Sequence, residues 1–326
     1  MSSLTGKRVV VTGGAGFIGS NLCEFLLQHA NMVSCIDNIS TGKKSNVEAL
    51  LSNKNFSFHE EDITTSKNLA DLFKGADVVF HQAALGSVPR SVHNPLATHE
   101  VNATGFLRVL EACKAAGVKR VVYASSSSVY GDSAVLPKSE GQLGNPLSPY
   151  AVSKLTNELY ASVFSRLYGM ECVGLRYFNV FGPKQDPNGE YAAAIPRFIR
   201  SIRKKESPVI FGDGEQTRDF TFIENVIQAN IKAALAPAHT AGKVYNIAYG
   251  KSVTVNQMFT TIRALLAVND PLLSAVHATY AAERPGDVKF SLADVSQAKI
   301  DLGYAPEYDF ERGMAKAVEW YWKNLT

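Results

Sequence analysis

Tyr150 and Lys154 stand four residues apart in the run Tyr-Ala-Val-Ser-Lys, which follows Ser148 and Pro149. A serine and a proline in that order open a helix, and residues four apart on a helix share a face. A tyrosine, with a reference pKa of roughly 10, is a poor base near neutral pH. An ammonium about 4 Å away, at an effective dielectric near 20, favours the phenolate by about 4 kcal/mol, or roughly 3 pKa units. The pair therefore predicts a general base. Ordinary exposed helices also carry this spacing, so its meaning depends on what surrounds it.

Two further signals surround it. Thr12-Gly13-Gly14-Ala15-Gly16-Phe17-Ile18-Gly19 follows a short β-branched run and opens a helical one. Glycines at 13, 16 and 19 let the turn tighten, the backbone approach a pyrophosphate and the helix pack on a sheet, with free N–H groups at the helix start as the anion site. Asp37, eighteen residues past Gly19, is placed to accept from an adenosine ribose and to repel a 2′-phosphate, so NAD is expected rather than NADP. Lys43 and Lys44 are the residues that would suit the phosphorylated form. Asp62 and Ile63 follow another strand candidate and either edge the adenine or, for Asp62, cap a helix. The third signal is Ser125-Ser126-Ser127-Ser128, at the end of a strand in a sheet whose ligands gather at the carboxyl ends of strands. A hydroxyl there can bond the oxygen that the tyrosine deprotonates.

The elements that must hold these groups alternate strand and helix. Lys7 to Thr12, Met32 to Asp37, Asp77 to Phe80, Arg120 to Ala124 and Cys172 to Phe178 read as strands. Gly19 to Ala30, Pro95 to Ala116 before Gly117, and Pro149 to Tyr168 before Gly169 read as helices. Val and Ile runs without polar alternation suit strands buried on both faces. The expected fold is α/β, a Rossmann-type doubly wound parallel sheet over residues 1–178, with a smaller C-terminal α+β substrate lobe over 179–326. Asp219 to Leu235 is a segment that can return to the first lobe, and Asp309 to Leu325 forms a last helix.

Composition narrows the classes. With 326 residues and 46% hydrophobic, the chain can bury a large core. Its 33 basic and 30 acidic residues nearly balance, which argues against a nucleic-acid surface or an anionic membrane as partner. Cys23, Cys35, Cys113 and Cys172 are dispersed among apolar residues and read as reduced core cysteines, which favours the cytoplasm. No signal-peptide pattern and no membrane-length apolar run is evident. The seven histidines lack metal-ligand spacing, and His81 reads as structural or cofactor-lining, so no metal is expected. Trp320 and Trp322 read as lobe packing or a partner surface.

Together, the Thr12–Gly19 motif, the serines before Val129-Tyr130-Gly131, Tyr150 with Lys154, Arg176-Tyr177-Phe178-Asn179 and Arg218-Asp219-Phe220 resemble the extended short-chain dehydrogenase/reductase family over nearly the whole chain. Ala83 to Ser91 is similar to its UDP-N-acetylhexosamine 4-epimerase branch. The resemblance implies Tyr150 as base, Lys154 as its tuning group and nicotinamide-ribose contact, and Ser126 as the partner of the sugar 4-hydroxyl. It implies NAD contacts at Gly13, Gly16, Phe17, Ile18, Gly19, Asp37, Asn38, Asp62, Ile63, Ala83, Ala84, Asn102 and Tyr177. For a UDP-sugar it implies Gly86, Ser87, Ser127 and Ser128 at the sugar, and Asn179 with the stretch Gln185 to Ala194, Ala193 included, at uracil and diphosphate. Arg218 and Arg284 are implied at the diphosphate, where guanidinium forks match phosphate oxygens. Sister enzymes that dehydrate or decarboxylate carry an acid at or beside the position of Ser128, and this chain has only hydroxyls there. Ser291 aligns with a bulky tyrosine of strict glucose/galactose epimerases and leaves room for an N-acetyl group. A homodimer through the helices Pro95–Ala116 and Pro149–Tyr168, and a role in polysaccharide biosynthesis, are further expectations of the likeness.

Overall fold

The β-branched run after Lys7 forms β1 (Arg8–Thr12), the glycine turn feeds α1 (Phe17–Gln28), and β2 (Met32–Asp37) completes the first crossover. The structure, a computed structural model, describes residues 4–188, 192–283 and 289–325. The alternation continues with β3 (Phe56–Glu60), α2 (Leu69–Phe73), β4 (Val78–His81), α3 (Val88–His93), α4 (Pro95–His99), α5 (Gly105–Ala116), β5 (Arg120–Ser126), α6 (Pro149–Tyr168) and β6 (Glu171–Tyr177). Ser148 caps α6 by accepting from the Ala151 N–H, with Pro149 in the first turn, and α5 and α6 stop at Gly117 and Gly169.

One expectation needs correcting. The helix read from Pro95 to Ala116 is not continuous α-helix, because Glu100–Thr104 forms a π-helical turn between α4 and α5. Such turns insert one residue into the ladder and recur at functional sites. Here the turn carries Asn102 into the interior.

Past residue 178 the elements shorten: β7 (Val180–Phe181), α7 (Ala194–Arg203), β8 (Val209–Phe211), β9 (Thr217–Asp219), β10 (Thr221–Phe222), α8 (Ile223–Leu235), β11 (Val244–Ile247), β12 (Ser252–Thr254), α9 (Val255–Ala267), β13 (Thr279–Ala281), α10 (Ser296–Leu302) and α11 (Phe310–Asn324). The main sheet has seven strands in the order β11-β6-β5-β4-β1-β2-β3, every neighbouring pair parallel. Its last strand thus comes from beyond residue 235, and α8 packs on β5 and β6 beside α1. The remaining strands pair as β10 with β7, β12 with β9 and β13 with β8.

Side chains of one strand alternate between two cores. Val9 and Val11 join the cluster under α1 and α8, whereas Val10 joins the cluster with Phe106, Val109 and Phe164 of α5 and α6. Strands filled on both faces by β-branched residues leave only their ends for ligands. All four cysteines are buried and unpaired. Among the described residues no helix is long and apolar enough to cross a membrane.

Candidate active site

At the carboxyl ends of β1, β2 and β4 the backbone closes on itself. Gly13 has φ 68°, and a Cβ on it would lie 2.5 Å from the Ala83 nitrogen; one on Gly19 would lie 2.1 Å from the Gly13 carbonyl oxygen. Only glycine permits this packing. The Asp37 carboxylate accepts the N–H groups of Ala15 at 2.9 Å and Ile39 at 2.8 Å. It therefore shapes the turn as well as lining the cleft, and burial pushes its pKa up against those hydrogen bonds. Gly13, Gly16, Asp37, Asn38, Asp62, Ile63, Ala83 and Ala84 border one cleft. Phe17 and Ile18 open α1 and pack against the core behind it. Asp62 does not cap a helix: its carboxylate accepts from the Thr64 N–H and hydroxyl and from the Asn38 amide, closing a turn after β3. A backbone cradle that any Cβ would fill, with a carboxylate at the end of β2, fits a dinucleotide.

Asn102 clamps the next segment. Its oxygen accepts the Leu85 N–H at 2.8 Å, and its amide donates to the Leu85 carbonyl and to the Ser153 hydroxyl, each at 3.1 Å. It thereby ties the chain after β4 to α6. Beyond it Ser87 takes φ 106°, a strained value for a residue with a Cβ, while capping α3; Gly86 beside it is exposed. Tyr177 closes a ring of bonds, donating to Gln82 at 3.2 Å and accepting from Asn230 at 2.9 Å, with Gln82 donating to Asn230 at 3.1 Å.

Tyr150 and Lys154 share a face of α6, as the spacing predicts. Ser126 hydrogen-bonds the Tyr150 hydroxyl and also caps the turn Ser127–Tyr130, accepting from the Ser128 N–H at 3.1 Å and the Ser128 hydroxyl at 3.0 Å. The expected lowering of the tyrosine pKa by lysine is not found in the protein alone. Lys154 donates to the Ala124 carbonyl at 2.9 Å, and its nitrogen lies 6.0 Å from the Tyr150 ring centre. Burial of the phenol's polar end dominates and raises its pKa, with the Ser126 bond opposing. The same burial depresses Lys154 to about 8, and the charge of Glu158 opposes this. His81, fully buried with Nδ1 2.8 Å from the Thr12 hydroxyl, is pushed down to about 3 by burial and by Lys154, so it stays neutral beside the ammonium.

A second pocket, of about 180 Å³, opens from Asn179 toward α7 and α9. Asn179, Gln185, Ala193 and Arg218 all line it. Asn179 has φ 34° and donates to the Asp219 carbonyl at 3.2 Å. Gln185 donates to the Val180 carbonyl, and its buried side-chain oxygen has no donor among the described residues. A buried acceptor of that kind suits a ligand N–H. Ser291 sits apart from these residues, half-exposed in a segment held by bonds between Lys138 and Leu292 and between Ala293 and Asp219. Arg284 lies outside the described residues, as do residues 189–191.

Sequence reasoning passed over Gln82 and Glu158. Gln82 directly precedes the cleft residue Ala83, and Glu158 follows Lys154 by four, so the helix-face argument that joined 150 to 154 reaches 158 as well.

Residues 9–248 match the NAD dependent epimerase/dehydratase family. A putative UDP-glucose 4-epimerase of Methanocaldococcus jannaschii is 38% identical over 317 residues, spanning 97% of this chain and 99% of that one. The structure of a UDP-N-acetylglucosamine 4-epimerase from Methanobrevibacter ruminantium M1, in complex with UDP-N-acetylmuramic acid, superposes with a TM-score of 0.92 at 42% identity, covering 99% and 100% of the two chains. A UDP-glucose 4-epimerase from Thermotoga maritima, solved with UDP-glucose, gives 0.90 at 35% identity over 98% and 100%.

The buried ammonium generates a prediction. Lys154 titrates near 8 in the folded chain against an ordinary 10.5. The unfolded state then binds more protons between those values, so wild-type stability rises with pH across that window. Below pH 8 the full burial penalty applies. Lys154→Met should abolish turnover yet unfold with about 2 kcal/mol more stability at pH 7, after allowance for the lost Ala124 bond, and this advantage should shrink toward pH 10. Denaturant melts of both proteins at pH 7 and pH 10 check it; a variant less stable at pH 7 contradicts it.

Proposed function

The chain belongs to the NAD dependent epimerase/dehydratase family, and on that premise we propose that it interconverts UDP-GlcNAc and UDP-GalNAc through a transient 4-keto sugar. It is an NAD-dependent UDP-sugar 4-epimerase, and the acetylated substrate is the finer part of the proposal. The observation that carries the reaction type is the hydroxyl-only turn facing Tyr150. Residues 126–128 offer three serines and no carboxylate beside the hydroxyl of Tyr150. Without an acid or base there, a 4-keto sugar has no route to elimination, and return to a 4-hydroxyl sugar is what remains. NAD, when bound, supplies the acceptor and donor of the hydride and a positive charge beside the phenol. Tyr150 takes the proton from the sugar 4-hydroxyl and later returns it, Ser126 holds that oxygen in line, and Lys154 keeps a donor-rich, electropositive floor under both. Gly13, Gly16, Asp37, Asn102 and their neighbours hold the cofactor; Asn179, Gln185 and Arg218 hold the UDP end.

The acetylated sugar is favoured by the absence of a bulky residue at Ser291 and by the likeness to the M. ruminantium enzyme. The two relatives described as UDP-glucose 4-epimerases favour the plain hexose as the alternative, with UDP-glucuronate or UDP-GlcNAcA behind it. A homodimer is supported by an apolar exposed face: Val88, Val92, Leu96, Val152 and Leu159 lie on α3, α4 and α6, which pack together.

Incubation with UDP-GlcNAc should yield UDP-GalNAc, and Tyr150→Phe should cut kcat by at least ~100-fold, the usual weight of a general base. Ser291→Tyr should lower kcat/KM for UDP-GlcNAc by ~10-fold or more relative to UDP-glucose, since a filled pocket rejects bulk. Brisk turnover of UDP-glucose with none of UDP-GlcNAc would overturn the substrate assignment. Sedimentation should report a dimer that Leu159→Glu dissociates, because a charge there would be buried without a partner; a monomeric wild type would remove the dimer from the account.

A further inference from the structure

Helix α6 meets the end of β5 through three consecutive strand residues. Ser126 bonds the Tyr150 hydroxyl, the Ala124 carbonyl accepts from Lys154 at 2.9 Å, and the Ser125 hydroxyl donates to Glu158 Oε1 at 2.5 Å. Tyr150, Lys154 and Glu158 follow one another at four-residue spacing, one stripe of the helix. The first two are reacting groups, whose oxygen and nitrogen must serve substrate and cofactor during turnover. The third rung has no such duty. Arg176 grips Glu158 through Nε at 2.9 Å and Nη2 at 2.8 Å, and both side chains are buried. Behind it, Arg176 Nη1 donates to the Tyr130 hydroxyl at 3.0 Å and to the Glu140 carbonyl at 2.9 Å, and Tyr130 donates to Asn246 at 2.6 Å. The carboxylate is thereby fixed from β5, β6, β11 and the turn that follows Ser126.

We propose that Glu158, acting through Ser125, is a positioning residue of the epimerisation: it pins the strand end so that the Ser126 hydroxyl stays on the oxygen of Tyr150 and of the sugar in both half-reactions. This rests on the function proposed above. The bond from the buried Ser125 hydroxyl to the ion-paired carboxylate is charge-assisted, and it joins the residue beside Ser126 to the residue one turn beyond Lys154. The charged and titratable groups facing Glu158 are Arg176 from β6, Lys154 from its own helix and Tyr123 from β5, each of which its charge influences.

Glu158→Gln strips the partner of a buried guanidinium and endangers folding. Ser125→Ala cuts the strand link alone and leaves the ion pair. With the UDP-sugar that the wild type turns over fastest, Ser125→Ala should lower kcat ~10-fold at unchanged KM, the weight of one hydrogen bond to a charged group. The acid limb of its kcat–pH profile should move to higher pH, because a loosened Ser126 stabilises the phenolate less. Ser125→Thr, which keeps the hydroxyl, should recover most of the rate. A Ser125→Ala enzyme with the wild-type kcat and acid limb overturns the proposal, as does a loss of kcat that tracks lowered thermal stability and is shared by Ser125→Thr. A wild type silent toward UDP-GlcNAc, UDP-glucose and UDP-glucuronate overturns the parent reading and this one with it. That failure is recognisable because it precedes any variant.

Discussion

The site is organised around a buried ammonium. Lys154 is almost fully enclosed, its pKa is depressed, and its ammonium donates to the Ala124 carbonyl of β5. An ammonium in that position destabilises the fold unless something offsets it. The offsets are also the features that build the site: Glu158 one turn away supplies compensating charge, His81 stays neutral, and the strand end is drawn against α6. The glycine turn and the Asn102 clamp then bring the cofactor cleft to the same edge of the sheet. A site assembled on strand ends and one long helix has little freedom to drift, which suits chemistry whose two half-reactions must find the same oxygen.

Much of this was legible because the signals are local. The glycine run with Asp37, and Tyr150 with Lys154, are short-range patterns whose physics is fixed by strand, turn and helix geometry, and the structure gathers them at one edge. What the sequence hid is long-range. Arg176 and Glu158 are 18 residues apart, and Tyr130 reaches Asn246 across 116; no spacing rule links them. β11, some seventy residues after β6 in sequence, joins the sheet for the same reason. The π-turn at Glu100–Thr104 was invisible because one inserted residue hardly disturbs helical periodicity.

The expectation that misled was electrostatic. Spacing placed the ammonium near the phenol, and a Coulomb estimate at 4 Å then gave a working base. In three dimensions the nitrogen turns to Ala124 and burial outweighs it, so the lone protein holds Tyr150 protonated. The helix gives proximity, while the charge state depends on solvent access and on what else fills the cleft. NAD, when bound, would supply a positive charge that favours the phenolate, and the Ser126 bond already acts in that direction.

The most direct test is the ionisation of Tyr150 itself, read as the ultraviolet difference between wild type and Tyr150→Phe across pH, with and without NAD. The account predicts a phenol titrating above its ordinary value of 10 in the bare protein and falling by about 2 units or more with NAD bound, the scale expected of a cation within several ångströms. An identical titration in both states would mean that the cofactor does not govern the base, and the proposed chemistry would lose its footing.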